Sequence, residues 1–236
     1  MEREQYMSLL LEMEAVYDDS CAANGYVNSI YTIGIGSATS KGIVPEYEEP
    51  CSGKMAVSFI HHRGDKLNVA TTDIDNQCRQ NFDKTSAATP TVSATIALAL
   101  EANENLTWRD VQYLIVYTSD HGKLNHPGTK NGAGLTFSHY FGFGAVDAEA
   151  VVTRARHWTT VPPQTSFSLR PINSTYLVSN GSTERIDMFC PNEIDGCYDN
   201  VGLLEHVVVR VSLWFEGDNA ADAQRGQIMM NLTSPR

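Results

Sequence analysis

The chain is 236 residues long, with 42% hydrophobic residues, 19% charged residues and a formal net charge of −11. That length and apolar content can support a sizeable core, in one large domain or two modest ones. The acidic balance argues against a nucleic-acid or anionic-membrane surface.

The N-terminal MEREQYMSLLLEMEAVYDDS is acidic and lacks the basic start and longer apolar centre of a secretory signal. No later run reaches the length needed to cross a bilayer. Two segments, 26–35 (YVNSIYTIGI) and 67–74 (LNVATTDI), have the β-branched and aromatic content of buried strands. Between them, 41–54 (KGIVPEYEEPCSGK) reads as a loop from its Pro, Gly and charge content. His61 and His62 fall in a loop-like FIHHRGD, where both read as solvated histidines and Arg63-Gly64-Asp65 as a turn.

Residues 82–90 read FDKTSAATP and lead into an apolar helix from Thr89 to about Ala102. Ser86 is then either a nucleophile or a hydroxyl capping that helix. A second helix follows, with Thr107 as N-cap and Asp110 three residues on, a capping box. Val111, Leu114 and Ile115 continue at helical spacing. Residues 121–134 are loop-like, and HYFGFGAVDAEAVVTRARHW leads into a third helix ending near Trp158. The segment 159–165 (TTVPPQT) resists both helix and sheet and marks a boundary. Beyond it the reading is all-β, with strands at 205–215 and 226–233, fewer than the roughly seven usual in a β-sandwich. There is no internal repeat.

Five cysteines form no CxxC pair, which argues against zinc. Four N-x-[ST] sequons, at Asn105, Asn173, Asn180 and Asn231, together with the dispersed cysteines favour an oxidising, secretory setting. Secretory traits without a signal fit a piece of something longer.

The segment KTSAATP followed by IALALEAN and NLTWRDVQYL resembles the active-site serine region of the kexin-like proprotein convertases, subtilisin-fold serine endopeptidases. DSC, NGYVNSIYTI and the loop to Cys51 (19–51), TTD with Cys78 (71–78), KNGAG (130–134) and YFGFGAVDAEAVV with WTTVP (140–162) follow in the family's order. LLEHVVVRV (203–211) and RGQIMMNLTSP (225–235) resemble the start of the P (Homo B) domain. DAEAVV, WTTVP and LEHVVVRV resemble the subtype 5/6 branch.

The resemblance implies a partial α/β subtilisin-like three-layer domain, followed by a truncated all-β, jelly-roll-like P domain. The boundaries are a divergent segment at 1–18, the C-terminal part of the peptidase domain at 19–160 and a partial P domain at 161–236. It implies that Ser86 is the nucleophile, activated by a histidine that an aspartate orients. In the family those partners and the oxyanion Asn lie upstream, and no HGT motif occurs in these residues. Lys84 stands where the family has Gly, Ala94 where it has another Gly, and Asn24 where it has an acid that reads basic side chains.

Asp19 and Glu49 match carboxylates that bind calcium beside the specificity pocket, the third ligand lying upstream. Cys21 and Cys51 match a family disulfide; Cys78 would pair upstream and is expected as a free thiol; Cys197 would pair with Cys190. The expected parent activity is calcium-dependent endoproteolysis of secretory precursors after basic residues, in the Golgi or outside the cell. The partners would be proprotein or peptide substrates, with no nucleic acid and no membrane segment. These residues alone are expected to be inactive. The alternative is a short pseudoprotease serving as a binding or decoy module.

Overall fold

The computed structural model describes residues 7–10, 21, 24–61, 69–80, 82–166, 168–169, 172, 174–178, 181–187, 205–214 and 230. Strands β1 (Met7–Leu10), β2 (Thr32–Thr39) and β3 (Lys54–Ile60) form a parallel sheet in that order. Met7 aligns with Thr32 and Leu10 with Ile35, while Ala56 to Ile60 run beside Ile35 to Thr39. Parallel sheets are covered on both faces, so their strands read as continuous apolar runs rather than alternating ones. Ile33 through Thr39 are all buried, as that rule requires.

The period-two alternation of a strand divides the core between the two faces. Ile33, Ile35, Ala56 and Ile60 point to one side, against helices α1 (Thr85–Ala102), α2 (Trp108–Thr118) and α3 (Ala148–Ala155). Ala87, Ala88, Val92, Ile96 and Ala99 form the buried stripe of α1, and Val111, Leu114 and Ile115 that of α2. Ala38 and Val57 point to the other side and pack on Phe141 and Ala145. That second cover is a turn-rich segment hydrogen-bonded along β3, with Phe143 N–H to Met55 O at 2.8 Å and Val57 N–H to Gly144 O at 3.0 Å. Gly142, at φ +57°, allows the approach, because a Cβ there would run into the Met55 carbonyl.

The local signals for α2 hold. Thr107 Oγ1 accepts from Asp110 N–H at 3.3 Å, and Asp110 Oδ2 accepts from Thr107 N–H at 2.8 Å. The helix at 148–155 is capped by Asp147, whose Oδ1 accepts from Ala150 N–H at 2.9 Å.

Four boundaries differ from expectation. The strand expected from residue 26 starts at Thr32, because Asn24, Gly25, Asn28 and Ser29 fold the preceding residues into turns. Of the strand expected at 67–74, residues 67 and 68 lie outside the described residues, and among the rest only Thr71–Thr72 forms a strand (β4), antiparallel with Cys78–Arg79 (β5). Its exposed residues have no apolar face to bury. The central strand β3 emerges from the end of the expected loop, and its apolar run MAVSFI was the available signal. Helix α1 begins at Thr85 rather than Thr89, with Pro90 inside it. A short hairpin, β6 (Thr129–Lys130) with β7 (Thr136–Phe137), closes the 121–137 loop.

The chain divides into two units, Met1–Val161 with Trp214–Arg236, and Pro162–Leu213. No described residue of the second unit lies in a helix or strand. The strand expected at 205–215 is absent at the described residues 206–214, where Val207, Val208, Val209, Val211, Leu213 and Trp214 are exposed. Apolar residues with strand propensity still need a partner ladder and a face to bury against. The strand expected at 226–233 lies outside the described residues except for Met230, which is in no strand.

Candidate active site at the head of the central helix

Ser86 is the second residue of α1 and is exposed to solvent. It is not the cap of that helix. Lys84 occupies the N-cap, its carbonyl accepting from Ala87 N–H at 3.0 Å and Ala88 N–H at 3.4 Å, and no side chain caps the first turn. The N–H groups of a first helical turn have no intrahelical acceptors and carry the positive end of the helix dipole. Ser86 therefore sits where developing negative charge is favoured.

The segment leading into the helix is anchored to the sheet. Asp83 forms a parallel bridge with His61, at the C-terminal end of β3, and Phe82 N–H donates to Val69 O at 3.3 Å. His61 is accordingly half-buried at the sheet edge rather than a solvated loop residue; His62 and the Arg63–Asp65 turn lie outside the described residues. Three residues past the bridge the chain reaches Ser86, so the serine stands beyond the carboxyl end of a parallel strand. That edge is where open α/β sheets place their chemistry.

The turn that makes this step is strained. Lys84 has φ 64° and ψ −173°, a region open to glycine and costing other residues about 1–3 kcal/mol. Its side chain is exposed beside the serine. Pro90 lacks an N–H and cannot donate to the Ser86 carbonyl four residues back. Ala94, in the third turn of α1, is exposed. Among the described residues no histidine or other side chain hydrogen-bonds the Ser86 hydroxyl.

Asn24 lies in the turns that follow Cys21 and precede β2. Cys21 and Cys51 form a disulfide with Cα atoms 5.7 Å apart and pack with Val27. Asn24 Oδ1 accepts from Tyr26 N–H at 3.0 Å and Val27 N–H at 3.3 Å. Its oxygen is committed to the local turn. Cys78 is a free, exposed thiol among the described residues; Cys190 and Cys197 lie outside them.

A buried network that the sequence reading missed lies at the start of β3, around Lys54, and Glu49 Oε1 is buried there without a hydrogen-bond partner among the described residues. Lys54 is 1% exposed and its Nζ donates to Glu48 Oε1, to Glu49 O at 2.7 Å and to Tyr140 O at 3.0 Å. Glu48 Oε2 accepts from Ser37 N–H at 2.9 Å and Ser37 Oγ at 2.6 Å. Burial pulls the Lys54 ammonium below its usual range, while Glu48 and Glu49 pull it back up. Burial also pushes the neighbouring Tyr47 phenol up to about 12, against the lowering influence of Ser37.

The calcium expected from the resemblance finds little to hold it here. Glu49 is buried at 5% exposure, and Asp19 lies outside the described residues. No group of three or more His, Cys, Asp or Glu suited to a metal occurs among the described residues. Glu48, next in sequence, is already occupied by an ammonium and a hydroxyl. Calcium needs six to eight oxygens; of the expected pair the described residues hold Glu49 alone, whose Oε1 is buried with no hydrogen-bond partner among them, beside a Glu48 that Lys54 already neutralises.

A second buried carboxylate fixes the end of the peptidase-like unit. Asp110 Oδ1 accepts from Trp158 Nε1–H at 2.8 Å and Val161 N–H at 2.9 Å, while Oδ2 accepts from both Thr107 N–H and Thr107 Oγ1 at 2.8 Å. Burial alone would raise its pKa, but these donors together hold it below the ordinary value. The expected capping residue thus also clamps the WTTV segment. Among the described residues no helix is long and apolar enough to cross a membrane.

The subtilase family profile matches residues 13–144. Proprotein convertase subtilisin/kexin type 5 of Rattus norvegicus is 40% identical over 92% of this chain and 12% of its own length. Type 6 of Homo sapiens is 41% identical over 92% of this chain and 22% of its own, and furin of Rattus norvegicus is 37% identical over 92% and 26%. The chain thus spans about an eighth to a quarter of the length of these relatives. Among solved structures, a serine protease of Aeromonas sobria superposes with TM-score 0.56 at 19% identity, over 61% of this chain and 32% of that one, a likeness of fold. With the profile covering more than half of its length, the chain belongs to the subtilase family, among the kexin-like proprotein convertases.

Proposed function

We propose that this chain carries the serine-bearing part of a proprotein convertase, with Ser86 as the nucleophile of a serine endopeptidase acting on secretory precursors after basic residues. The observation that carries this reading is the position of Ser86. It is exposed in the first turn of α1, three residues beyond a bridge to the carboxyl end of β3. In the reaction, Ser86 Oγ attacks the scissile carbonyl as a histidine accepts its proton. The carbonyl π electrons move onto oxygen, collapse of that intermediate expels the amine with the proton from the histidine, and water, deprotonated by the same histidine, then hydrolyses the acyl-enzyme and restores the Ser86 hydroxyl. The Ser86 hydroxyl meets no such base among the described residues. Activity then requires a histidine, an aspartate and an oxyanion donor beyond those that the described residues bring to Ser86, and the 236 residues by themselves are expected to be inactive toward peptides. Asn24 would stand at the pocket for the basic side chain, and with its Oδ1 already held by Tyr26 N–H and Val27 N–H it would bind that side chain more weakly than a carboxylate. Residues 161–236 would begin the P domain, and the compartment would be secretory. Calcium enters no step.

The transcript upstream of the Met1 codon tests this. A reading frame carrying the aspartate, HGT and GNGG segments, whose product cleaves after Arg or Lys and loses about 10⁶-fold in kcat with Ser86→Ala, supports it. A frame without those segments refutes it and favours the second reading, a pseudoprotease that binds peptides without cutting them. The strained Lys84, an exposed cation in the turn beside Ser86, favours that second reading.

A further inference from the structure

We propose that Lys54 is a built-in counter-cation: its ammonium, supplied by the chain itself, neutralises the buried Glu48 carboxylate and ties the surrounding segments together as a divalent ion could, while Glu49 Oε1 stays buried without a hydrogen-bond partner among the described residues. The inference does not depend on Ser86 being a nucleophile. Three observations carry it.

First, the three acceptors around Nζ, namely Glu48 Oε1, Glu49 O and Tyr140 O, match the three hydrogens of an ammonium. A neutral amine has only two to give. Second, the partner carboxylate is fully used, with its other oxygen holding the Ser37 N–H and hydroxyl. A buried ion pair contributes only when its remaining lone pairs are satisfied in this way. Third, the sheet leaves room for the pair. A Cβ at Gly36, in the middle of β2, would run into Glu48 Oε1 and come within 2.7 Å of Lys54 Cε. The volume of a side chain in the central strand is given over to the ion pair.

The bonds of one ammonium join three separate segments: the acidic turn at 48–49, the start of β3 at Lys54, and the 138–144 cover at Tyr140. The same turn runs into Cys51, whose N–H donates to His139 O at 2.8 Å and whose sulfur bonds Cys21. Linking acidic loops across a fold is the task a calcium ion performs in many extracellular proteins. The ammonium cancels one of the two carboxylate charges at 48–49, so a doubly charged cation added beside it is held less strongly than it would be by the carboxylates alone.

The test is thermal unfolding of the full chain in EDTA and in millimolar calcium chloride, for wild type and Lys54→Met. The wild-type midpoint should be the same in both solutions, and calcium titrated into wild type should give no binding heat. Lys54→Met should unfold several degrees lower in EDTA and rise when calcium is added. Glu48→Gln/Lys54→Met, which removes both charges, should recover most of the lost midpoint and serves if the single variant does not fold. A wild-type midpoint that climbs with calcium would overturn the proposal. So would a Lys54→Met chain that unfolds with wild type, or one that calcium leaves unmoved.

Discussion

The head of α1 and the Lys54 network lie in one unit yet are built in opposite ways. Around Lys54, ammonium and carboxylate are both buried and fully hydrogen-bonded. Around Ser86 the side chain is exposed, its hydroxyl meets no side-chain partner among the described residues, and the preceding residue holds a backbone conformation suited to glycine. Burial and hydrogen bonding are concentrated around Lys54, while the turn that presents Ser86 is strained and open. Strain of this kind persists only where the surroundings over-determine it. Here the surroundings are the bridge to β3 on one side and the alanine-rich stripe of α1 on the other.

The largest losses of stability accordingly come from the Lys54 region. Lys54→Met, which leaves Glu48 buried without its cation, should cost about 3–5 kcal/mol in a denaturant titration. A loss under about 1 kcal/mol would erase the distinction between the two regions. Cys51→Ser opens a disulfide spanning 30 residues and should cost about 3–4 kcal/mol, read by comparing oxidised wild type with the variant.

Asp110→Ala strips the acceptor from Trp158 and Val161 and should cost about 2–3 kcal/mol. The same carboxylate gives a pH dependence. Its folded pKa lies below the ordinary 3.8, so the unfolded chain binds the proton first on acidification. Its contribution is complete above about pH 4 and is lost as the pH falls through the folded value. Acid titrations should show that loss in wild type and not in Asp110→Asn; parallel curves would remove the clamp from the account.

The turn before Ser86 should respond in the opposite direction and by the least. Lys84→Gly relieves the backbone at φ 64° and should gain about 1–2 kcal/mol. A loss on this substitution would mean that the lysine side chain, rather than the turn, governs the site.

What the sequence disclosed follows the same division. The box at Thr107 and Asp110 was legible because both partners lie within one helical turn. The disulfide was legible only through resemblance, since five cysteines allow many pairings. The apolar pattern places the start of α1 at Thr89 rather than Thr85, because the small and polar residues of the first turn carry little periodic signal, and Pro90 so early removes only one intrahelical bond. The Lys54 network was illegible. Its residues sit in a stretch that reads as a charged loop, and Tyr140, the distant partner, arrives only when the sheet is covered. The clamp of Asp110 on Trp158 was hidden for the same reason: nothing local links residues so far apart.

The measurement closest to the central claim is fluorophosphonate labelling of the purified 236-residue chain, read at Ser86 by mass spectrometry, with Ser86→Ala and heat-denatured chain as references. The account predicts no labelling above the denatured background. Rapid, stoichiometric modification of Ser86 in the folded chain would show that a base and an oxyanion donor are already in place, and would contradict it.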